Sequence, residues 1–240
     1  MTVHHPQARH RRRRRLLLVL LVLLAWWALA SGRIVVPDRH NPWAPLRLAD
    51  PPNVLTAFKQ RRAAADPRQC LAALAQSPFR FAPVPDHETG PGCGFANAVL
   101  IERTGAAVGA AFTLSCPAAL ALALWEAHVL QPAALDAFAQ PVSRLQHLGS
   151  YACRNVYGRE TGRRSRHATA DALDLAGFVL ADGRRISVLA DWTGDDEDAA
   201  FLRRLHQGGC RWFGGALGPD YNAAHADHFH FDVGGYSVCR

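Results

Sequence analysis

From His228 to Val233, polar and apolar residues alternate without a break: His228, His230 and Asp232 against Phe229, Phe231 and Val233. Such alternation marks a half-buried strand, because residues two apart share a face. It predicts the two phenyl rings in a core and two imidazoles roughly 7 Å apart on the other face. Imidazole nitrogen is a preferred zinc ligand, but a catalytic zinc takes about three protein ligands and an open position. One His-x-His pair cannot supply that. The remaining ligands must come from elsewhere in the chain.

His167 and Asp174 are the candidates. Asp174 interrupts the apolar run Ala172-Leu173-Asp174-Leu175-Ala176, and a carboxylate there needs a partner that offsets its burial. A metal is one such partner, and a nearby arginine is another. Taken singly, His167 reads equally as a ligand or as a surface residue. His128 lies in an apolar helical stretch and reads as a packed core residue.

The net charge of +7 first suggests a nucleic-acid partner. Residues 1–33, however, hold seven arginines and no acid, and without them 20 basic side chains face 20 acidic ones. A nucleic-acid surface needs a basic face on the domain itself, so that class loses its main support. The leader has another meaning. Arg11 to Arg15 precede fifteen uncharged residues, Leu16 to Ala30, the pattern of an export signal. Ala28-Leu29-Ala30 is an acceptable cleavage signature. The apolar run falls short of the ~20 residues of a transmembrane helix, yet Trp26 and Trp27 sit as interfacial anchors do, favouring an uncleaved inner-membrane anchor with the arginines inside. Either way, the remainder is expected in the periplasm or cell envelope.

All six cysteines follow the leader, and none forms a C-x-x-C pair. In an exported chain this predicts disulfides rather than a thiolate cluster or redox motif. Six cysteines allow fifteen pairings, and the sequence leaves the choice open.

Residues 34–65, with Pro37, Pro42, Pro45, Pro51 and Pro52, read as an extended tether. The domain then runs over 66–240. Asp66 and Pro67 should cap and start a helix over 66–76. Strands are expected at 79–81, 97–103, 110–115, 142–148 and 172–180. Asp182-Gly183 should turn the last of these into a partner strand over 184–189. The stretch 117–138 reads as a buried helical segment that Pro132 breaks or kinks into two helices. A second helix over 195–207 should end at Gly208-Gly209. The expected class is α+β: a small, mainly antiparallel sheet carrying the site, covered by helices and stapled by disulfides.

The spacing Ser165-x-His167-x6-Asp174, followed by His225-x-Asp227-His228-x-His230, resembles the LAS metallopeptidases (lysostaphin, D-Ala-D-Ala metallopeptidase and sonic hedgehog types). The wording of residues 70–236, including GSYACRNVYG, SRHATADALDLAGF and HADHFHFD, is similar to the bacterial extensin-like C-terminal domain family. The resemblance implies that His167, Asp174 and His230 bind Zn2+ and that Asp227 is the general base. It further implies that His228 sits over the open coordination position, that His225 belongs to the same site, and that Arg154 holds substrate or stabilises an oxyanion. Ala170 stands where the LAS motif usually has glycine.

Together with the leader, the resemblance implies a zinc peptidase acting on peptidoglycan peptide stems, as a D,D-endopeptidase or D,D-carboxypeptidase. The rival expectation is a non-catalytic wall-binding module with a structural zinc. A serine hydrolase is disfavoured because no G-x-S-x-G turn occurs. A zinc deaminase would need a cysteine pair beside the metal.

Overall fold

The computed structural model describes residues 6–33, 35–234 and 238–240. Its helices are α1 (Pro6–Ala30), α2 (Thr56–Ala64), α3 (Pro67–Leu74), α4 (Cys116–Trp125), α5 (Gln131–Phe138), α6 (Val188–Asp191) and α7 (Glu197–Trp212). The strands are β1 (Arg80–Val84), β2 (His87–Gly90), β3 (Cys93–Phe95), β4 (Ala98–Arg103), β5 (Ala107–Ser115), β6 (Val142–Gly149), β7 (Ala172–Leu180), β8 (Arg185–Ser187), β9 (Gly215–Leu217), β10 (Phe229–Asp232) and β11 (Val238–Cys239).

Nine strands form one sheet in the order β1-β4-β5-β6-β7-β10-β9-β11, with β8 also on β7, while β2 and β3 make a separate hairpin. Only β5–β6 and β9–β11 pair in parallel among the described residues. The class is therefore α+β and mainly antiparallel, as expected, but the sheet is not small. Strands β1, β4 and β5 continue it beyond the site.

The alternation of β10 holds. Phe229 and Phe231 are fully buried, and they pack against Trp192, Phe178, Trp125 and Phe213. Burying two phenyl rings beside such neighbours is worth roughly 1.5–3 kcal/mol per side chain. That fixes the register, because a one-residue slip would expose both rings.

Asp66 caps α3 as expected, accepting from the Arg68 and Gln69 amides. Elsewhere the punctuation differs. Pro132 does not break its helix. A π turn over Glu126–Leu130 joins α4 to α5, with the Gln131 amide donating to the Glu126 carbonyl, and proline sits just past the widened turn.

Gly208 and Gly209 do not end α7 either. They are contact points, where a Cβ would meet Val129 at 2.2 Å and the Phe231 ring at 2.6 Å respectively. The expected strand 184–189 stops at Ser187, whose side chain accepts from the Ala190 amide and starts α6.

Residues 34–65 are not an extended tether throughout. Leu46, Leu48 and Ala63 join the main core, and Lys59 Nζ, itself buried, donates to the Asp38 carbonyl at 2.5 Å. Pro42 sits in a turn, Leu46 and Leu48 dock the segment between Pro45 and Pro51, and Ala63 packs from α2. The six cysteines form three disulfides, Cys70–Cys116, Cys93–Cys153 and Cys210–Cys239.

Cys116–Phe138 is the helix among the described residues that is long and apolar enough to cross a membrane, and 67% of that apolar stretch is buried in the domain. It is a core helix. The residues of α1 from Leu16 to Leu24 are each more than half exposed.

Candidate metal centre

Strand pairing assembles the site. In the β7–β10 ladder, His230 lies directly opposite Asp174, flanked by the Leu173–Phe231 and Leu175–Phe229 pairs. The apolar pairs take the core face, which leaves the imidazole and the carboxylate side by side on the other. A short 3-10 turn, Arg166–Thr169, brings in His167. Ser165 caps that turn by accepting from the His167 amide, and Ala170 closes it with φ 55. This is the left-handed region that favours glycine, and an alanine occupies it here.

The three donors converge. His167 Nε2 lies 3.1 Å from Asp174 Oδ2 and 3.1 Å from His230 Nδ1, and His230 Nδ1 lies 2.9 Å from Asp174 Oδ1. Two ligands bound tetrahedrally at about 2.05 Å from zinc stand roughly 3.3 Å apart. The fit is close.

The outer partners settle which nitrogens face inward. His167 Nδ1 donates to the Ser150 carbonyl at 2.8 Å, leaving Nε2 as a lone pair. His230 Nε2 faces Asp232 Oδ2 at 3.3 Å, leaving Nδ1 inward. His167 Nε2, His230 Nδ1 and the Asp174 carboxylate then meet at one position, where they could hold a metal ion and where, without one, a proton on His230 Nδ1 bridges to Asp174. Imidazoles held by a carbonyl or carboxylate at the second nitrogen are the usual outer shell of zinc ligands.

Protonation follows the same contacts. Burial is the largest single effect on His230 and lowers its pKa, but hydrogen bonds to Asp174 and Asp232 and their charges outweigh it, pushing it up to about 9. Asp174 is likewise opposed first by burial, yet the hydrogen bonds from His167 and His230 hold it well below the usual carboxylate range.

Around the trio, His228 Nε2 is 3.6 Å from Asp174 Oδ1, and His228 Nδ1 donates to Asp227 Oδ1 at 2.7 Å. The imidazole thus lies between Asp227 and the ligands. The Asp227 side chain is 54% exposed, behind His228 rather than at the centre. His225 packs its ring against His228 and His230 at 5.3 and 5.8 Å between centroids. Burial first, then the charges of His230 and His228, pull its pKa down to about 4, so it is neutral at pH 7. Arg154 lines the same cleft, whose volume is about 630 Å³.

All seven sequence-predicted residues therefore gather in one region. Ser150 and Asp232 had no assigned role in the sequence reading. Asp232 was legible as the third polar residue on the face of His228 and His230, whereas Ser150 acts through its carbonyl and leaves no signal in its side chain.

The site is thus a His-Asp-His group that could hold a metal ion, lining a cleft on the mainly antiparallel sheet of a disulfide-stapled α+β domain. Residues 68–240 match the family described as extensin-like protein C-terminus, and the chain belongs to that family. No curated protein and no solved structure matches it.

Proposed function

We propose that the chain is a zinc-dependent peptidase of the cell envelope, related to the LAS metallopeptidases. Its substrate is a peptide bond in peptidoglycan stems, cut as a D,D-endopeptidase or D,D-carboxypeptidase would cut it. The observation that carries this reading is the convergence of His167 Nε2, Asp174 and His230 Nδ1, with the Asp227–His228 pair alongside.

His167, Asp174 and His230 would hold the zinc, which when bound would acidify a water and polarise the scissile carbonyl. His228 takes up the proton at Nε2 and returns it to the departing amine. Asp227 fixes the Nδ1–H tautomer and balances the imidazolium charge, so it acts through His228 rather than as the direct base. Arg154 offers its guanidinium to substrate or to the developing oxyanion. The arginine-headed apolar segment Leu16–Ala30 supports a location outside the inner membrane, with the segment as an anchor or as a signal cleaved after Ala30.

The alternative, a wall-binding module with a structural zinc, draws on one distance: His228 Nε2 is 3.6 Å from Asp174 Oδ1, close enough to become a fourth ligand. The test uses the zinc-loaded protein with cross-linked muropeptides, wild type beside Asp227→Asn. New products from wild type alone uphold the peptidase. Equal zinc in both proteins with products from neither leaves the structural-zinc reading.

A further inference from the structure

Outside α1, half of the large apolar residues that reach solvent among the described residues lie in one short stretch: Val35, Val36, Trp43, Val54 and Phe58. Apolar side chains scattered singly over a surface need no explanation, but a concentration of them does. Trp43 is 74% exposed and Val54 95%. The rings of Trp43 and Phe58 meet edge to face at 6.1 Å between centroids.

This exposure is built into the backbone. Arg62 donates to the carbonyls of Pro42, Trp43 and Ala44, each at 2.9 Å, which fixes the turn that carries Trp43. The Trp43 amide donates to Asn41 Oδ1 at 3.0 Å. Val54 follows Asn53, whose side chain donates to the Arg39 carbonyl and accepts from the Leu55 amide, both at 2.8 Å. In α2 the inward residues are Lys59 and Ala63, while Ala57, Phe58 and Arg61 are exposed. A helix that is apolar on its outer face as well has a second surface to cover.

Reach limits what can cover it. From Asp38 onward the chain is fastened: the Asp38 carboxylate pairs with Arg47, and its carbonyl accepts from buried Lys59. Only residues 31–37 therefore separate the apolar segment Leu16–Ala30 from the fastened chain, a span of at most about 25 Å. With Leu16–Ala30 in a bilayer, Asp38 stays beside that bilayer, and Trp43 follows five residues on. Docking is then intramolecular, so a weak patch suffices.

Charge points to the same occupant. Residues 34–65 carry five basic and two acidic side chains, whereas 66–240 carry fifteen basic and eighteen acidic. The positive excess thus coincides with the exposed apolar residues, and Arg39 and Arg61 are themselves exposed. Aromatic and aliphatic side chains flanked by arginine are the composition of a surface seated among lipid headgroups.

We propose that this face docks on the membrane surface. Trp43, Val54 and Phe58 enter the headgroup region of the bilayer that holds Leu16–Ala30, and Arg39 and Arg61 lie over anionic lipid. The domain is then held close against the membrane, because the segment that looks like a long tether is the docking surface. The proposal rests on the uncleaved-anchor reading of Leu16–Ala30 and is independent of the peptidase reading.

The test uses the full-length chain in vesicles of phosphatidylcholine and phosphatidylglycerol whose acyl chains carry bromine, a short-range quencher of tryptophan. The bromines sit either near the headgroups or near the bilayer centre. Trp125, Trp192 and Trp212 are buried in the domain, so the emission lost between wild type and Trp43→Phe isolates Trp43. Shallow bromines should quench that component more than deep ones, since an interfacial face enters only about 5–10 Å. The component should also resist iodide supplied on both sides of the membrane. Val54→Asp should reverse both results, and so should Phe58→Asp. Vesicles of phosphatidylcholine alone should show weaker shallow quenching.

A Trp43 component open to iodide and indifferent to bromine would overturn the docking surface. Protection from iodide without quenching by bromine would also overturn it, in favour of a second copy of the chain as the cover. Trp26 and Trp27 are scored separately in the Trp43→Phe protein. Quenching there without quenching of Trp43 upholds the anchor and removes the docking surface. Quenching of Trp43 without that of Trp26 and Trp27 does the reverse.

Discussion

Two carboxylates at the site do different work, and substitution separates them. The Asp227 carboxylate accepts from the outer nitrogen of His228. Asp227→Asn should leave zinc content and melting temperature near those of wild type while lowering muropeptide turnover by roughly 10²–10⁴-fold, the usual worth of a proton-transfer group. Zinc analysis beside a turnover assay checks both halves, and a variant that loses its metal would show Asp227 to be a ligand. Asp232 stands behind His230, held in turn by the Gly234 amide at 2.5 Å. Gly215 leaves the space it occupies, since a Cβ there would meet Asp232 Oδ2 at 2.4 Å. Asp232→Asn should weaken zinc binding about 10–100-fold, measured by competition with a chromophoric chelator, and turnover should return at saturating zinc. Unchanged affinity would mean that Asp232 does not orient the ligand.

At the scale of elements, the residues that the sequence leaves ambiguous are those whose role is set by a neighbour distant in the chain. The β10 alternation and the Asp66 cap are local and were legible. Gly208 and Gly209 look like a helix stop because glycine usually is one. Here they admit Val129 and Phe231 against α7, a contact that no local pattern announces. Gly208→Ala should therefore cost about 1–3 kcal/mol by overpacking, although alanine is the better helix former. Thermal unfolding decides between these opposite signs. The same limit explains Pro132, which reads as a break until the π turn before it is seen, and the site itself. The alternation placed His230 and the interrupted apolar run marked Asp174, but only the resemblance joined the two across 56 residues. The π turn carries a second consequence. Burial raises the pKa of Glu126, only partly opposed by Thr104, Gln131 and the amides of Ala106 and Gly105, and neither carboxylate oxygen closes a well-formed hydrogen bond. A folded pKa above the unfolded one means that the native state holds the extra proton. Its stabilising contribution is therefore full below about pH 4.5 and lost as pH rises through the folded value. Glu126→Gln should remove that loss, so its stability relative to wild type should grow with pH above 4.5. Denaturant unfolding at several pH values checks the direction.

In the molecule as a whole, one disulfide and the candidate metal site share a foundation. Cys93–Cys153 closes the longest covalent loop, 60 residues, joining β3 to the chain entering the cleft wall. Next to Cys153, the Ala152 amide donates to the His167 carbonyl at 3.1 Å, and the Ser150 carbonyl holds the His167 ring. The staple thus restrains the same backbone that sets His167, one of the three residues that could hold a metal ion. Replacing both cysteines with serine should cost ~4 kcal/mol through the entropy returned to the unfolded chain. If the bridge also preorganises His167, the loss should not be independent of the metal. Zinc at 100 times its dissociation constant stabilises a folded protein by about 2.7 kcal/mol, and at the same free zinc the serine variant should gain less because its affinity is weaker. Unfolding wild type and variant, each with zinc and with chelator, forms a cycle whose coupling term isolates the effect. A smaller gain in the variant places the disulfide within the machinery that holds the metal. An equal gain confines it to the stability of the scaffold and leaves the β7–β10 ladder and the Ser165 cap as sufficient to fix the three ligands.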